Sequence, residues 1–233
     1  MFSLYYYRIL ILVAVVPAIY LLVKVYQADR VEKESPRMLV TLVICGIFST
    51  AGAVILEVAG DWILRIFVSE GSVMYHAITC FIIVGFAEEG CKYLFLKLRT
   101  WKSAEFNCLF DGMLYAVYIS LGFAVWENLL YSFSNGMGTA LVRAVTAIPG
   151  HACFGVFMGM LYGFAKQYER MQQTALSKRC RVLAVVVAAL IHGCYDFILS
   201  VKVPFLGFVA FVIVMFVIAF RMVRKMSDMD RYI

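Results

Sequence analysis

The residues best suited to chemistry lie inside a stretch that is otherwise apolar enough to sit in lipid. Residues 80–96 are mostly apolar but contain two adjacent carboxylates and an ammonium, Glu88, Glu89 and Lys92. A charged side chain near the centre of a spanning helix costs ~2.5–3.5 kcal/mol on insertion scales. On a helix, Lys92 lies one turn from both acids and can neutralise one of them. The other acid is then free for chemistry, unless the three charges form a salt bridge that only orients the helices.

Further ionisable residues occur on three later apolar stretches. Glu127 lies in one stretch, His151 begins the next, and His192 and Asp196 lie in the one after that. His192 and Asp196 are four residues apart, so on a helix they share a face and the carboxylate can orient the imidazole or join it as a ligand. Taken singly, each of these residues also fits a role as an interhelical hydrogen-bonding group.

Two histidines with several carboxylates allow two kinds of hydrolytic chemistry. They can hold a Zn²⁺ ion that activates water while another carboxylate acts as base. Alternatively, a glutamate activates the water directly and the histidines donate hydrogen bonds to the developing oxyanion. Both mechanisms suit hydrolysis of an amide within a membrane, and the residues alone leave the choice open.

The composition identifies the elements that must position these groups as membrane helices. The chain has 233 residues, of which 64% are hydrophobic and only 15% charged, whereas soluble domains have about 25% charged residues. Long unbroken apolar runs exclude a β-barrel, whose strands alternate over ~10-residue segments. We therefore predict an all-α, polytopic helical bundle that forms one transmembrane domain over residues 1–233. The net charge of +6 does not indicate nucleic-acid binding.

Apolar runs long enough to span a bilayer predict about seven helices. Their predicted ranges are 8–27, 38–58, 74–96, 107–131, 143–165, 182–200 and 204–222. Glu57 and Asp111 lie near the ends of these ranges, where a charged side chain can snorkel to water at little cost.

The distribution of basic residues predicts the orientation of the helices. Four alternate segments hold fifteen basic residues: Arg30, Lys33, Arg37, Lys97, Arg99, Lys102, Lys166, Arg170, Lys178, Arg179, Arg181, Arg221, Arg224, Lys225 and Arg231. The segments on the other side hold four: Arg8, Arg65, Arg143 and Lys202. The positive-inside rule then places the N-terminus outside and the C-terminus in the cytoplasm of a cell-membrane protein.

With this orientation, the ionisable groups fall at a similar depth. At 1.5 Å per residue, Glu127, His151 and His192 lie roughly 7, 10 and 12 Å below the outer ends of their helices, and Glu88 and Glu89 about 15–20 Å below theirs. Four helices therefore carry ionisable groups into the outer half of the membrane, and we predict that they form one site.

Four motifs follow one another on successive predicted helices: Glu88-Glu89-x-x-Lys92, Phe123-x-x-x-Glu127, His151 and His192-x-x-x-Asp196. Together they resemble the motif series of the PrsW family of intramembrane proteases, a branch of the CAAX-protease and bacteriocin-processing superfamily. The loop at 28–37 also resembles the family's first cytoplasmic loop, with Ser35 between Glu34 and Pro36 as a small departure. The resemblance covers about residues 15–200.

The resemblance implies a membrane endopeptidase of the site-1 type, which cuts a single-span anti-sigma factor near its outer face. Glu88 and Glu89 match the acidic motif and His192 the essential downstream histidine. Glu127, His151 and Asp196 match supporting positions. In the CAAX branch the second motif ends in histidine where this chain has Glu127, so the geometry of that branch does not transfer directly.

The motifs leave the use of a metal open, and no cofactor is fixed by them. If Zn²⁺ or another divalent ion binds, we expect His151 and His192 as ligands, with Asp196, Glu127 or Glu89 as the third. This count of two histidines and one carboxylate matches hydrolytic zinc sites. Glu88 has the better helical spacing for an ion pair with Lys92, so we expect Glu89 to be the general base.

Two other classes of function remain open from the sequence. Buried Glu, His and Asp also form proton relays, so an ion- or proton-coupled transporter is one alternative. A non-catalytic scaffold that binds single-span partners is the other. The expected partners of a protease are a single-span membrane substrate and the lipid bilayer.

Overall fold

The chain folds as a bundle of helices. The computed structural model describes residues 2–201 and 203–233, and within them the only extended pairing is one isolated antiparallel bridge between Cys108 and Tyr232. This confirms the all-α prediction. The helices are α1 (Phe2–Ala28), α2 (Pro36–Phe67), α3 (Val73–Ala77), α4 (Gly85–Thr100), α5 (Asp111–Asn135), α6 (Met137–Val145), α7 (Ala147–Arg170), α8 (Thr174–Ser200) and α9 (Phe205–Asp228), with a π-helical segment (Ile78–Val84) between α3 and α4.

Six helical stretches are long and apolar enough to cross a membrane, so the chain is an integral membrane protein. They are α1, α2, α5, the α6–α7 pair, α8 and α9. The seventh predicted span, 74–96, corresponds to a helical path from Val73 to Thr100. It does not belong to the six because a π-helical segment divides it and α4 has only 16 residues, including charged ones. Six of the roughly seven predicted spans are thus confirmed.

Several helix boundaries differ from the predicted ones. The second helix was expected to end at residue 58, but α2 continues to Phe67, and its extension is paired internally by Asp61 and Arg65 at 2.7 Å. The predicted fifth helix, 143–165, is divided at Thr146 between α6 and α7. Charged residues at helical spacing explain the extension of α2, because they end an apolar run without ending the helix. Lys202, counted among the outer basic residues, lies outside the described residues.

Helix α5 occupies the centre of the bundle and packs against α2 and α7 through glycines. A Cβ atom at Gly159 of α7 would come within 2.5 Å of the Met113 Cα atom on α5. On the other side of α5, a Cβ atom at Gly122 would collide with the backbone of Val43. Such backbone contacts are typical of membrane helices, where small residues permit close approach. They fix α5 relative to both neighbours.

One end of the bundle is closed by three chain segments, which we call the tail face: loop 29–35, loop 101–110 and the tail 229–233. The Leu109 amide donates to the Arg231 carbonyl (3.0 Å), and the Ile233 amide donates to the Asn107 carbonyl (2.7 Å). Arg30 pairs with Asp228 across the surface at 2.7 Å. The C-terminal ends of α1 and α9 therefore lie at the same end of the molecule.

The tail face buries carboxyl groups that have few partners. Asp29 is 1% exposed and neither of its carboxylate oxygens has a hydrogen-bond partner. Glu34 is 6% exposed and one of its oxygens is also unpartnered. Burial raises the pKa of Asp29 to about 6 and the pKa of Glu34 to about 7, because desolvation disfavours the charged form. Ionisation of these groups therefore works against the closed tail face.

This burial predicts a pH-dependent effect of Glu34→Gln. The raised pKa means that the Glu34 carboxyl favours the fold below about pH 4.5, and that this contribution is lost as the pH rises through about 7. Glutamine stays neutral, so the variant should match the parent near pH 5 and exceed its melting temperature by several degrees at pH 8, given about 2–4 °C per kcal/mol for a chain of this size.

Thermal unfolding in detergent at the two pH values measures the effect. Glu32→Gln is the matched control, because Glu32 lies in the same loop but is exposed; it should show no such pH-dependent gain. An equal difference between Glu34→Gln and parent at both pH values would contradict the expectation.

Candidate active site

The local fold of the α3–α4 path determines where the acidic pair points. The π-helical segment Ile78–Val84 directly precedes α4, and such a segment rotates the following residues relative to a regular α-helix. Gly85 and Gly193 allow close packing: a Cβ at Gly85 would lie 2.7 Å from the Ala189 carbonyl oxygen, and one at Gly193 would lie 2.6 Å from the Phe81 ring. Glu88 and Glu89 are thereby held against the face of α8 that carries His192.

Lys92 joins both glutamates to a histidine of another helix. Its Nζ donates to Glu89 Oε1 (2.7 Å), to Glu88 Oε2 (3.0 Å) and to His151 Nδ1 (3.1 Å). An ammonium has three donors and no acceptor, so all three N–H groups are used. The Nζ also lies 3.9 Å from the centre of the Phe123 ring and is fully buried. We call Lys92 with these three partners the ammonium hub.

The hub determines the tautomer of His151. Because the Lys92 ammonium can only donate, His151 Nδ1 must accept, and the ring proton of the neutral imidazole is on Nε2. That Nε2–H donates to Glu127 Oε2 at 2.9 Å. The same Glu127 oxygen pairs with Arg143 Nη2 at 2.8 Å. Helices α4, α5, α6 and α7 are thus joined by one polar chain.

His192 lies between two carboxylates. Its Nδ1 is 2.9 Å from Glu89 Oε1, and its Nε2 is 3.3 Å from Asp196 Oδ2 on the next turn of α8. The Phe154 ring stacks on the imidazole with centres 4.5 Å apart. With an acceptor at each nitrogen, the ring can donate a hydrogen bond from either side. His192 and Asp196 thus lie on the same face of α8, as their spacing predicted.

These side chains surround a cavity of about 440 Å³. Glu88, Glu127, His151, His192 and Asp196 line it. Glu89 does not line it; this residue is fully buried behind the cavity, and its Oε2 has no hydrogen-bond partner. The structure therefore brings all seven predicted residues together, but it exposes Glu88 rather than Glu89 to the cavity.

Two further charged residues, which the sequence did not indicate as site residues, also line the cavity. Glu57 was expected to snorkel from a helix end, but α2 continues to Phe67 and Glu57 faces the cavity. Its i, i+4 spacing to Asp61, and that of Asp61 to Arg65, was the signal that the helix continues. Arg143 was counted only as a loop charge, yet it pairs with Glu127.

The donor set fits a divalent cation. Glu88, Glu89, His151 and His192 each offer one ligand atom, and these atoms all lie within 4.8 Å of one another. Two imidazoles with carboxylates are typical of hydrolytic zinc sites. Asp196, one of the expected third ligands, lies at the other nitrogen of His192 and outside this group, whereas Glu89 belongs to it. Lys92 contacts three of the four residues, so its ammonium already supplies positive charge there.

Comparison with known proteins agrees with the motifs. Residues 34–222 match the model of the PrsW family intramembrane metalloproteases. The chain is 32% identical over 224 residues to Protease PrsW of Halalkalibacterium halodurans, a match that covers 95% of this chain and 99% of that protein. It is 30% identical over 220 residues to Protease PrsW of Shouchella clausii, covering 94% and 97%. No solved structure matches the chain.

The ammonium hub predicts a large loss of stability in Lys92→Met. Removing one partner of a buried ion pair leaves uncompensated charge and costs about 3–5 kcal/mol. Lys97→Met is the matched control, because Lys97 lies on the same helix but is exposed; it should be nearly neutral. Adding Glu89→Gln to Lys92→Met removes one orphaned charge and should restore part of the loss. Unfolding in detergent measures all three variants, and equal stability of the two lysine variants would exclude the hub.

Proposed function

The chain belongs to the PrsW family of intramembrane metalloproteases, and on that premise we propose that its cavity hydrolyses a peptide bond of a single-span membrane protein near the outer face. The resemblance inferred from the motifs is thus confirmed, and the protein is an intramembrane protease. Membership of an enzyme family favours this function over the transporter and the scaffold. The single observation that carries the proposal is the convergence of ionisable groups from six helices, α2, α4, α5, α6, α7 and α8, on one cavity. We propose that the whole chain forms one protease domain.

We assign the general base to Glu88. Helical spacing favoured Glu88 as the partner of Lys92 and Glu89 as the base, but the contacts support the reverse assignment. Glu89 makes the shorter contact with Lys92, also contacts His192 and does not reach the cavity. Glu88 lines the cavity, so a water molecule there can come within hydrogen-bond reach of its carboxylate, which is the first requirement of a general base.

The remaining groups orient the histidines toward the reacting bond. Glu89 and Asp196 hold the His192 ring from both nitrogens, and its Nδ1 lies 3.8 Å from Glu88 Oε2. In the mechanism without a metal, we propose that His192 exchanges its longer contact, from Nε2 to Asp196 at 3.3 Å, for a hydrogen bond to the developing oxyanion, the role of preorganised donors in acyl transfer. Arg143 and Glu127 keep the Nε2–H of His151 in place. Glu88, once protonated, returns its proton to the leaving amine.

The charge balance of the site supports a divalent cation. Glu57, Glu88, Glu89, Glu127 and Asp196 bring five carboxylates, whereas Lys92 and Arg143 bring two positive charges. We propose that Zn²⁺, when bound, is held by Glu89, His151 and His192, which leaves Glu88 as the base. A bound divalent ion would activate water and polarise the scissile carbonyl. Lys92 then competes with the ion for Glu89 and for His151.

Elemental analysis of purified protein tests the metal. We expect about one equivalent of zinc in the parent and much less in His192→Ala. Lys92→Met should retain zinc more tightly than the parent against increasing chelator, because the competing ammonium is gone. His76→Ala, which changes a histidine outside the site, is the control. Full cleavage activity in metal-free protein would instead exclude the metal mechanism and favour direct activation of water by a glutamate.

The cavity has a border that a membrane substrate could reach. Val54 of α2 and Leu199 of α8 both line the cavity, and each is 49% exposed on the outside of the bundle. A single-span helix that unwinds next to this border would bring its backbone toward Glu88. We propose that the substrate is a single-span protein of the anti-sigma factor type, on the strength of the family resemblance.

We further propose that the protein lies in the cell membrane with the N-terminus outside and the tail face in the cytoplasm. The fifteen-to-four distribution of basic residues supports this orientation. His192 lies eight residues, about 12 Å, from the end of α8 opposite the tail face, which agrees with a cut near the outer face. On a cysteine-free background, Asn135→Cys should react with an impermeant label from outside intact cells and Lys178→Cys should not. The opposite pattern would invert the orientation.

The two glutamates are expected to respond differently to the same change. Glu88→Gln should reduce cleavage by at least ~100-fold, the usual contribution of a general base, while leaving the ion pair of Glu89 and Lys92 and most of the stability intact. Glu89→Gln should reduce both stability and cleavage, because the charge shared by Lys92 and His192 is lost. Cleavage of a single-span peptide and unfolding in detergent are measured for both variants. Parental cleavage by Glu88→Gln would show that this residue is not the base.

A further inference from the structure

A second, larger cavity lies between α1, α7 and α9, away from the active site. Its volume is about 840 Å³, and we call it the α1–α9 groove. Its walls are apolar and include Leu21, Val25, Val156, Phe216 and Phe220. Phe220 is 71% exposed, so the groove is open on its outer side rather than enclosed.

Basic residues form the rim of the groove at the tail face. Lys24 lies near the end of α1, Arg30 lies in loop 29–35, and Arg224 lies near the end of α9. Arg30 is paired with Asp228 at 2.7 Å. In the part of the chain that the structure describes, neither Lys24 nor Arg224 has an ion-pair or hydrogen-bond partner, although the Lys24 Nζ lies 5.5 Å from the centre of the Tyr20 ring. No residue lining the groove is acidic. The rim therefore offers two uncompensated positive charges next to an apolar groove.

We propose that the α1–α9 groove binds one phospholipid with an anionic headgroup. The acyl chains would lie along the apolar walls, and the phosphate would lie between Lys24 and Arg224. Basic pockets between membrane helices are a known way to hold such headgroups. An apolar partner helix is a poorer occupant, because it would cover the groove while leaving both cations without an anion.

The position of the groove connects the lipid to the helix that carries His151. Pro149, Ala152 and Cys153 of α7 line the groove, while His151, on the other side of the same turn, lines the active-site cavity. A lipid in the groove would thus pack against α7 directly behind a site residue. The proposal concerns binding and holds whatever reaction the active site performs.

The binding test uses delipidated protein in an uncharged detergent, titrated with phosphatidylglycerol or with phosphatidylcholine. Native mass spectrometry measures the number of retained lipids. The parent should retain one phosphatidylglycerol per chain and bind it much more tightly than phosphatidylcholine. The double variant Lys24→Gln with Arg224→Gln should bind phosphatidylglycerol about 30-fold more weakly, from roughly fivefold for each basic residue.

The control is Lys178→Gln with Arg179→Gln, which removes two exposed charges near the start of α8, away from the groove; it should bind like the parent. Leu21→Trp fills the groove but keeps both cations, and it should also lose the lipid. The proposal is overturned if the parent shows no preference for the anionic lipid, or if the control loses the preference as much as the rim variant. The proposal is also overturned if the parent is a dimer that Leu21→Trp dissociates, because the groove would then be a contact between two copies of the chain.

Discussion

The three hydrogen bonds of the Lys92 ammonium are the interaction on which the site depends. Two adjacent carboxylates at full burial would repel each other, and one ammonium in contact with both removes most of that cost. The same ammonium reaches His151 on α7, and Glu89 reaches His192 on α8. Lys92 and Glu89 therefore connect α4 to two other helices, and a change at either residue affects contacts of α7 or α8.

This arrangement requires the helices to approach closely and in a fixed rotation. Glycines on α5 and α7 bring their backbones together, and Gly85 and Gly193 do the same for α4 and α8. A π-helical segment directly precedes α4, whose Glu88 faces the cavity while Glu89 lies behind it. Small residues let the helix backbones pack closely in lipid. This packing stabilises the arrangement of a polar cluster whose burial alone would carry a large desolvation penalty.

Much of this could be predicted from the sequence, because apolar length and intramembrane charge are strong signals. The all-α fold, most of the spans and the convergence of Glu88, Glu127, His151 and His192 followed from them. The extension of α2 did not, since polar residues end an apolar run without ending a helix, and Glu57 was therefore misplaced. The roles of Glu88 and Glu89 could not be predicted either, because Lys92 contacts both glutamates and the one that lines the cavity depends on how α4 packs against its neighbours.

The tautomer of His151 is the most direct test of the ammonium hub. The histidine nitrogens of ¹⁵N-labelled, chelator-treated protein can be observed by NMR, with His151→Gln identifying the signals of that ring. We expect a neutral ring whose Nδ1 carries no proton and whose Nε2 does, because Lys92 donates to the first and Glu127 accepts from the second. A proton on Nδ1 of His151 would show that Lys92 does not donate to it and would exclude the ammonium hub.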